Sequence, residues 1–158
     1  MSANGNLRLV SLVPSVTETL VAWGVDPIAC TRFCEQPTFM HIGGTKDPDI
    51  DAIVKLKPDL VIMDREENRQ EDYLNLVEAG VEVEALHVAS LSDVSSEIGR
   101  LALRLQVDWS FQTPEALPDS AGSNRYRAFV PIWKRPWMTI GQLTYGASVL
   151  RYLGVEVE

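Results

Sequence analysis

The sequence lacks the features that would place the protein in several large functional classes. No apolar run approaches the ~20 residues that a membrane-spanning helix requires. Lysine and arginine together number only 14 against 22 acidic residues, which gives a net charge of −8, and they form no dense cluster. Since nucleic-acid binding depends on such clusters, nucleic acid is not an expected partner. The composition, 46% hydrophobic and 23% charged, is instead typical of an ordinary globular domain.

Cysteine and histidine are equally scarce, with two residues of each among 158. Cys30 and Cys34 make a weak disulfide framework, and they leave the redox compartment open. Neither the cysteines nor His41 and His87 have the spacing of a metal site. Cys34, the one plausible nucleophile, precedes Glu35, whose negative charge opposes thiolate formation. We therefore expect neither cysteine catalysis nor a protein-bound metal.

A secretory signal is also missing, because residues 1–6 are short and polar and lead directly into an apolar run. The sequence as written therefore predicts a cytoplasmic protein unless a leader has been lost or removed.

The glycine-rich loops of nucleotide-binding enzymes are absent as well. Neither Gly-x-Gly-x-x-Gly nor a P-loop follows the first predicted strand, and the pair Gly43 and Gly44 is better explained as a tight turn. Ser15 lacks the surroundings of a catalytic nucleophile and has capping-box spacing with Glu18. We therefore expect no enzyme, no catalytic residue and no covalently bound cofactor.

What the sequence does contain is an alternation of short apolar runs and helical patterns, which predicts an α/β fold with a Rossmann-like parallel sheet flanked by helices. This first lobe is predicted over residues 7–106. The run Leu60 to Met63 is apolar at every position, as expected for a central strand covered on both faces. The predicted strands are 8–13, 27–31, 60–63 and 81–88, and the predicted helices begin at Ser15 and Asp47 (both as N-caps), at Asp64 and near Leu91.

The second part of the chain has a different character. Residues 107–124 contain two prolines and no sustained periodicity, and they are predicted to be a linker. Residues 125–158 are predicted to form part of a second lobe, with a strand over 128–133 and a helix that carries Tyr145, Val149 and Leu153 on one face.

Four loops follow predicted strands, and in a parallel sheet such loops meet in a ligand-binding crevice at the carboxyl edge. They are residues 14–15, 33–35, 64–68 and 133–137. The acidic run 64–72 has a second explanation as the solvated start of a helix. Trp133 and Trp137 either stack on a ligand or cover a core.

The chain resembles a known family through ordered motifs: LVSLVPSVTE (9–18), TRFCE (31–35), GGTKDPD (43–49), LKPDLV (56–61), EEN (66–68), FVPIW (129–133) and PWMT (136–139). It resembles the helical-backbone substrate-binding proteins of ABC importers for cobalamin, haem and ferric siderophores, and most of all their cobalamin-binding branch.

The resemblance implies two Rossmann-like lobes, joined by one long helix, that hold a small-molecule metal chelate between them. It also implies a periplasmic or cell-surface location, an ABC permease as partner, and a permease-docking acid, for which Glu71 is the candidate here. The ligand-binding residues that it implies are Pro14, Ser15, Phe33, Cys34, Glu35, Gly43, Gly44, Thr45, Glu66, Glu67, Asn68, Trp133, Trp137 and Tyr145.

The chain departs from the family pattern after residue 106. The linker is too short and broken for the long helix, and the second lobe is reduced to a strand and a helix. Such a chain would leave an apolar helix face and a sheet edge open, which a homo-oligomer could cover. The alternative is therefore an oligomeric interaction or regulatory module that kept the fold but not transport.

Overall fold

The computed structural model describes residues 7–110 and 126–158. The chain forms two compact units, the first made of Met1–His87 with Leu101–Asp108 and the second of Val88–Arg100 with Trp109–Glu158. The predicted lobe 7–106 differs from this division, because residues 88–100 belong to the second unit. Of the predicted linker 107–124, residues 107–110 have no regular structure and the remainder lies outside the described residues.

The first unit is built on a five-stranded parallel sheet in the order β3-β2-β1-β4-β5, which confirms the predicted α/β fold class. The predicted strands are present; three are shorter than expected, and the strand predicted over 60–63 is one residue longer. The edge strand β3 was not predicted, because it has only two residues and both are exposed. The strands are β1 (Leu9–Ser11), β2 (Ala29–Cys30), β3 (Met40–His41), β4 (Leu60–Asp64) and β5 (Val83–Leu86).

Four helices accompany these strands: α1 (Pro14–Ala22), α2 (Ile50–Leu56), α3 (Gln70–Glu78) and α4 (Asp93–Arg104), of which α4 begins in the second unit and ends in the first. Two predicted N-caps are wrong. Ser15 lies inside α1 and is not its cap, since Val13 is the N-cap residue and no side chain caps the helix. The N-cap of α2 is Asp49, whose side chain accepts a 2.9 Å hydrogen bond from the amide of Ala52, while Asp47 pairs with Arg32 instead.

The helix predicted from Asp64 begins six residues later, at Gln70. The intervening residues form a loop because the Asn68 side chain accepts a 2.8 Å hydrogen bond from the amide of Asp64, and the Asp64 side chain accepts one from the amide of Glu66. Local bonds of this kind compete with helix formation.

The core of the first unit lies between the sheet and its helices. Every residue of β4 is buried, as the apolar run predicted. On α3 the apolar residue Val77 is 46% exposed, whereas Asp72 is buried. An α-helix turns by about 100° per residue, so Val77 lies at the border of the face formed by Asp72, Tyr73 and Leu76. One buried cluster comprises Val10, Leu12, Ala29, Ile42, Ile53, Val61, Met63 and Leu76.

Over residues 126–158, the second unit contains four short strands and one helix: β6 (Tyr126–Ala128), β7 (Pro131–Lys134), β8 (Trp137–Thr139), α5 (Tyr145–Tyr152) and β9 (Val155–Val157). The single strand predicted over 128–133 is wrong. The chain there is divided between β6, which pairs in parallel with β9, and β7, which forms an antiparallel hairpin with β8. Pro131 begins β7, a position where its missing N–H removes little from the ladder. In neither described stretch is any helix long and apolar enough to cross a membrane.

Candidate functional site

In the sheet of the first unit, the order in which successive strands are added changes direction between β1 and β4. From β1 the chain adds β2 and β3 on one side, and it then returns to add β4 and β5 on the other. Ligand crevices of parallel sheets form at such a switch point, beyond the carboxyl ends of the strands. We call the segments that leave this edge the crevice loops, namely residues 12–15, 31–35, 42–48 and 65–69.

Asn68 holds three of the crevice loops together. Its Nδ2 donates hydrogen bonds to the main-chain oxygens of Leu12 (3.2 Å) and Thr45 (2.9 Å), while its Oδ1 accepts from the amide of Asp64. The residue is only 7% exposed. Asn68 was predicted to contact ligand, and the structure gives its amide a positioning role.

Two cationic side chains fix the loop 42–48 from either side. Lys46 Nζ donates a 3.0 Å hydrogen bond to the main-chain oxygen of Glu66. Arg32 Nη2 lies 3.0 Å from both carboxylate oxygens of Asp47, and its guanidinium lies 4.9 Å from the centre of the Phe33 ring. Gly43 has a φ of +90°, and a Cβ there would lie 2.5 Å from the main-chain oxygen of Asp47. The turn therefore requires glycine.

A cluster of hydroxyl and thiol groups lies beneath the loops that follow β1 and β2. Cys34 Sγ donates to Thr17 Oγ1 at 3.3 Å, and Thr17 Oγ1 donates to Ser11 Oγ at 2.8 Å. Cys34 is only 5% exposed. Burial, with a smaller contribution from Cys34, raises the pKa of the Cys30 thiol to about 12. The Cys30 thiol is therefore protonated, and both sulfur atoms are enclosed, which does not suit a nucleophile.

The remaining predicted residues of these loops differ in accessibility. Pro14 is half-buried, whereas Ser15, Glu35 and Phe33 are exposed, Phe33 by 58%. Gly44 is buried, and Gly43 and Thr45 are half-buried.

The acidic residues after β4 have distinct surroundings. Glu66 Oε1 lies 3.7 Å from Nδ1 of His87, at the carboxyl end of β5. Partial burial raises the pKa of Glu67, the Asp64 carboxylate raises it further, and Lys46 opposes the shift. Among the described residues, no three metal-ligating side chains come together.

An open concavity of about 410 Å³ lies at the carboxyl ends of β4 and β5, beside the start of α3. Sequence analysis missed most of the residues that line it. Asn68 is the one predicted ligand-binding residue in this lining, and Asp64 and Arg65 belong to the predicted crevice loop 64–68 without having been singled out. The lining residues are Met63, Asp64, Arg65, Asn68, Arg69, Gln70, Tyr73 and Ala85.

The first turn of α3 carries two adjacent acids, and only one is accessible. Glu71, the predicted permease-docking residue, is exposed. Asp72 is buried, with Oδ2 3.6 Å from Arg69 Nε. Desolvation raises the pKa of Asp72, Arg69 lowers it, and Glu71 and Asp47 raise it further.

The three predicted aromatic residues belong to the second unit and are all exposed. Trp133 and Trp137 lie on the β7–β8 hairpin and are 64% and 65% exposed, and Tyr145, the first residue of α5, is 43% exposed. Trp133 Nε1 donates a 3.2 Å hydrogen bond to the main-chain oxygen of Arg135. Exposure of this extent does not favour the alternative that the tryptophans cover a core of their own unit.

A family model described as periplasmic binding protein matches residues 9–105. The vitamin B12-binding protein of Salmonella paratyphi A is 24% identical over 167 residues, which cover 94% of this chain and 61% of that protein. The protein of the same name from Pectobacterium carotovorum is 24% identical over 166 residues, covering 94% and 60%. The chain thus spans about three fifths of the length of the curated relatives it matches.

Solved structures show the same fold. An ABC transporter substrate-binding protein from Listeria monocytogenes superposes with a TM-score of 0.79 at 14% identity, covering 97% of this chain and 65% of that chain. The periplasmic vitamin B12-binding protein of Vibrio cholerae gives 0.74 at 20% identity, covering 96% and 65%. A periplasmic heme-binding protein from Pseudomonas aeruginosa gives 0.77 at 21% identity, covering 96% and 62%.

Proposed function

This chain belongs to the periplasmic binding protein family, and we propose that it binds a corrinoid or a ferric chelate for delivery to an ABC-type importer. Of the five proteins named above, three are described as binding vitamin B12 and one as binding heme. As in the family, cobalamin, haem or a ferric siderophore would be cargo rather than a resident cofactor. The role requires a binding crevice and no catalytic group.

The observation that carries the proposal is the convergence of crevice loops at the switch point of the sheet. Asn68 links the loops after β1, β3 and β4 through hydrogen bonds of 2.8 to 3.2 Å. A crevice fixed in this way is pre-formed, which lowers the ordering cost of binding. Around it Ser15 and Phe33 remain accessible, and they supply a polar and an aromatic contact.

The proposal is tested by titrating the whole chain with cyanocobalamin, hemin and ferric desferrioxamine while following tryptophan fluorescence and the heat of binding. We expect saturable binding of at least one chelate. Phe33→Ala should weaken that binding, since an exposed ring on a crevice loop is a natural stacking partner. The matched control is Leu74→Ala, which removes a side chain of similar exposure (54%) from α3. No saturable signal with any of the three chelates at high micromolar concentration would contradict the proposal.

The docking part of the proposal rests on α3. Glu71 supplies the exposed carboxylate that a permease arginine would pair with, whereas Asp72 is buried. Charge pairs at an interface rim act chiefly on association rate and orientation.

A second candidate function, a homo-oligomeric interaction module, is favoured by the exposed apolar side chains of the β7–β8 hairpin. Ile132, Trp133, Trp137 and Met138 are each at least half exposed. Sedimentation velocity separates the two candidates. A stable dimer that fails to bind any chelate favours the module, and a monomer that binds a chelate excludes it.

A further inference from the structure

The concavity beside α3 has an apolar base and a cationic rim. Met63 of β4 and Ala85 of β5 come from the sheet, and Tyr73 is half-buried against the core. Arg65, Arg69 and Gln70 come from the loop after β4 and the start of α3. A guest that fits here must combine an apolar body with a group that accepts hydrogen bonds.

Arg65 is the cation at this rim that is available to a guest. Its main-chain amide donates a 3.0 Å hydrogen bond to Leu86, which fixes the position of the residue at the end of β4. Its exposed side chain forms neither a hydrogen bond nor an ion pair with any part of the chain that the structure describes. Arg69, by contrast, lies 3.6 Å from the carboxylate of Asp72.

The neighbouring acids are engaged elsewhere. Asp64 accepts a hydrogen bond from the amide of Glu66, Glu66 lies opposite His87, and Glu67 lies near Lys46. No side chain caps the start of α3, so its partial positive charge adds to that of the rim. As far as residues 7–110 and 126–158 show, the concavity therefore presents one guanidinium without a side-chain partner, reinforced by a helix terminus, above an apolar base.

Building on the proposed function, we propose that Arg65 binds a carboxylate of the chelate, so that this receptor selects chelates with free carboxylates over their neutral analogues. The planar guanidinium can donate two parallel hydrogen bonds to a carboxylate, a geometry that an ester or amide cannot complete. Met63, Ala85 and Tyr73 contact the hydrocarbon next to that carboxylate.

The test compares ligands that differ only in the carboxylate. The two pairs are hemin with its dimethyl ester, and a monocarboxylic acid of cyanocobalamin with cyanocobalamin itself. For the scaffold that binds, the acid should bind about tenfold more tightly than the neutral partner, as expected for one charge-assisted pair. Arg65→Gln should abolish this preference, so that the acid and its neutral partner bind with equal affinity. Lys55→Gln is the charge-matched control, since Lys55 lies in the last turn of α2, outside the concavity.

The outcomes separate this inference from the proposed function. If a scaffold binds but acid and neutral forms bind equally, the role of Arg65 is overturned and the receptor function stands. The same conclusion follows if Lys55→Gln removes the preference as much as Arg65→Gln does. If neither form of either scaffold binds, the proposed function fails and this inference fails with it.

Discussion

Asn68 donates a 3.2 Å hydrogen bond to the main-chain oxygen of Leu12, and this bond connects the loop after β4 to the loop after β1 at the switch point of the sheet. The two residues are 56 positions apart in the chain. The bond therefore fixes the shape of the crevice rather than that of either loop alone.

Replacing Asn68 by alanine should destabilise the first unit. The change removes three buried hydrogen bonds and leaves the Leu12 and Thr45 oxygens without this donor, so we expect a loss of about 2–4 kcal/mol in the free energy of unfolding. Urea denaturation followed by circular dichroism measures it. The control is Asn75→Ala on the exposed side of α3, which should change the free energy of unfolding by less than about 0.5 kcal/mol. Equal effects of the two substitutions would show that Asn68 is not a clamp.

Asp72→Asn should stabilise the protein at neutral pH. The pKa of Asp72 is raised above its ordinary value of 3.8 in the folded state, chiefly by desolvation. The folded state therefore binds the Asp72 proton more tightly than the unfolded state does. As a result, the contribution of Asp72 to the free energy of unfolding falls as pH rises from about 3.8 through the folded pKa. The asparagine variant lacks this loss, so its advantage should be present at pH 7 and should disappear at or below about pH 3.8. Thermal unfolding between pH 3 and pH 8 measures the difference in stability between Asp72→Asn and the wild type. Glu71→Gln, at the exposed neighbouring position, is the control. A stability advantage that grows as pH falls would contradict the raised pKa of Asp72.

Both cysteines should resist alkylation in the native protein. Cys30 is fully buried, Cys34 is 5% exposed, and the pKa of Cys30 is raised to about 12, so little thiolate is available. Iodoacetamide at pH 8, followed by intact-mass analysis, should label neither thiol within minutes and both thiols in urea. Rapid labelling of Cys34 in the native protein would mean that the loop after β2 is open.

Glu71→Lys should weaken docking to a cobalamin-type ABC permease in nanodiscs by about tenfold, because it turns one attractive charge pair into a repulsive one. Chelate binding should be unchanged. Glu78→Lys, at the other end of the same helix, makes the same charge change away from the proposed contact. If both variants dock as the wild type does, α3 is not the docking element.

The parts of the fold that were predictable from sequence are those determined by local pattern. The unbroken apolar run of β4 identified a central strand, and the strands in turn identified which loops reach the carboxyl edge. The errors arose where distant residues decide local structure. Asp47 is not a cap because Arg32, fifteen residues earlier, binds it. The role of Asn68 depends on Leu12 and Thr45, which are 56 and 23 residues away.

The residues of the concavity were also not predictable from the sequence, because contacts between distant parts of the chain bring them together. Within the described part of the chain the Arg65 side chain has no partner, and it lines the same concavity as the apolar residues Met63 and Ala85. Neither property is visible in the order of residues, because Ala85 reaches Met63 only through the pairing of β4 with β5.

The central claim is that a metal chelate binds at the carboxyl edge of the sheet. Its most direct test is an NMR titration of the whole, isotopically labelled chain with the diamagnetic chelates cyanocobalamin and zinc protoporphyrin. We expect at least one of these two chelates to cause saturable shifts of the amide resonances of Ser15, Phe33, Thr45 and Arg65. The amide resonances of residues at the opposite edge of the sheet should not shift. One of these residues is Asp59, whose carboxylate accepts a hydrogen bond from the amide of Arg8. Shifts confined to that opposite edge, or no shifts with either chelate, would contradict the account.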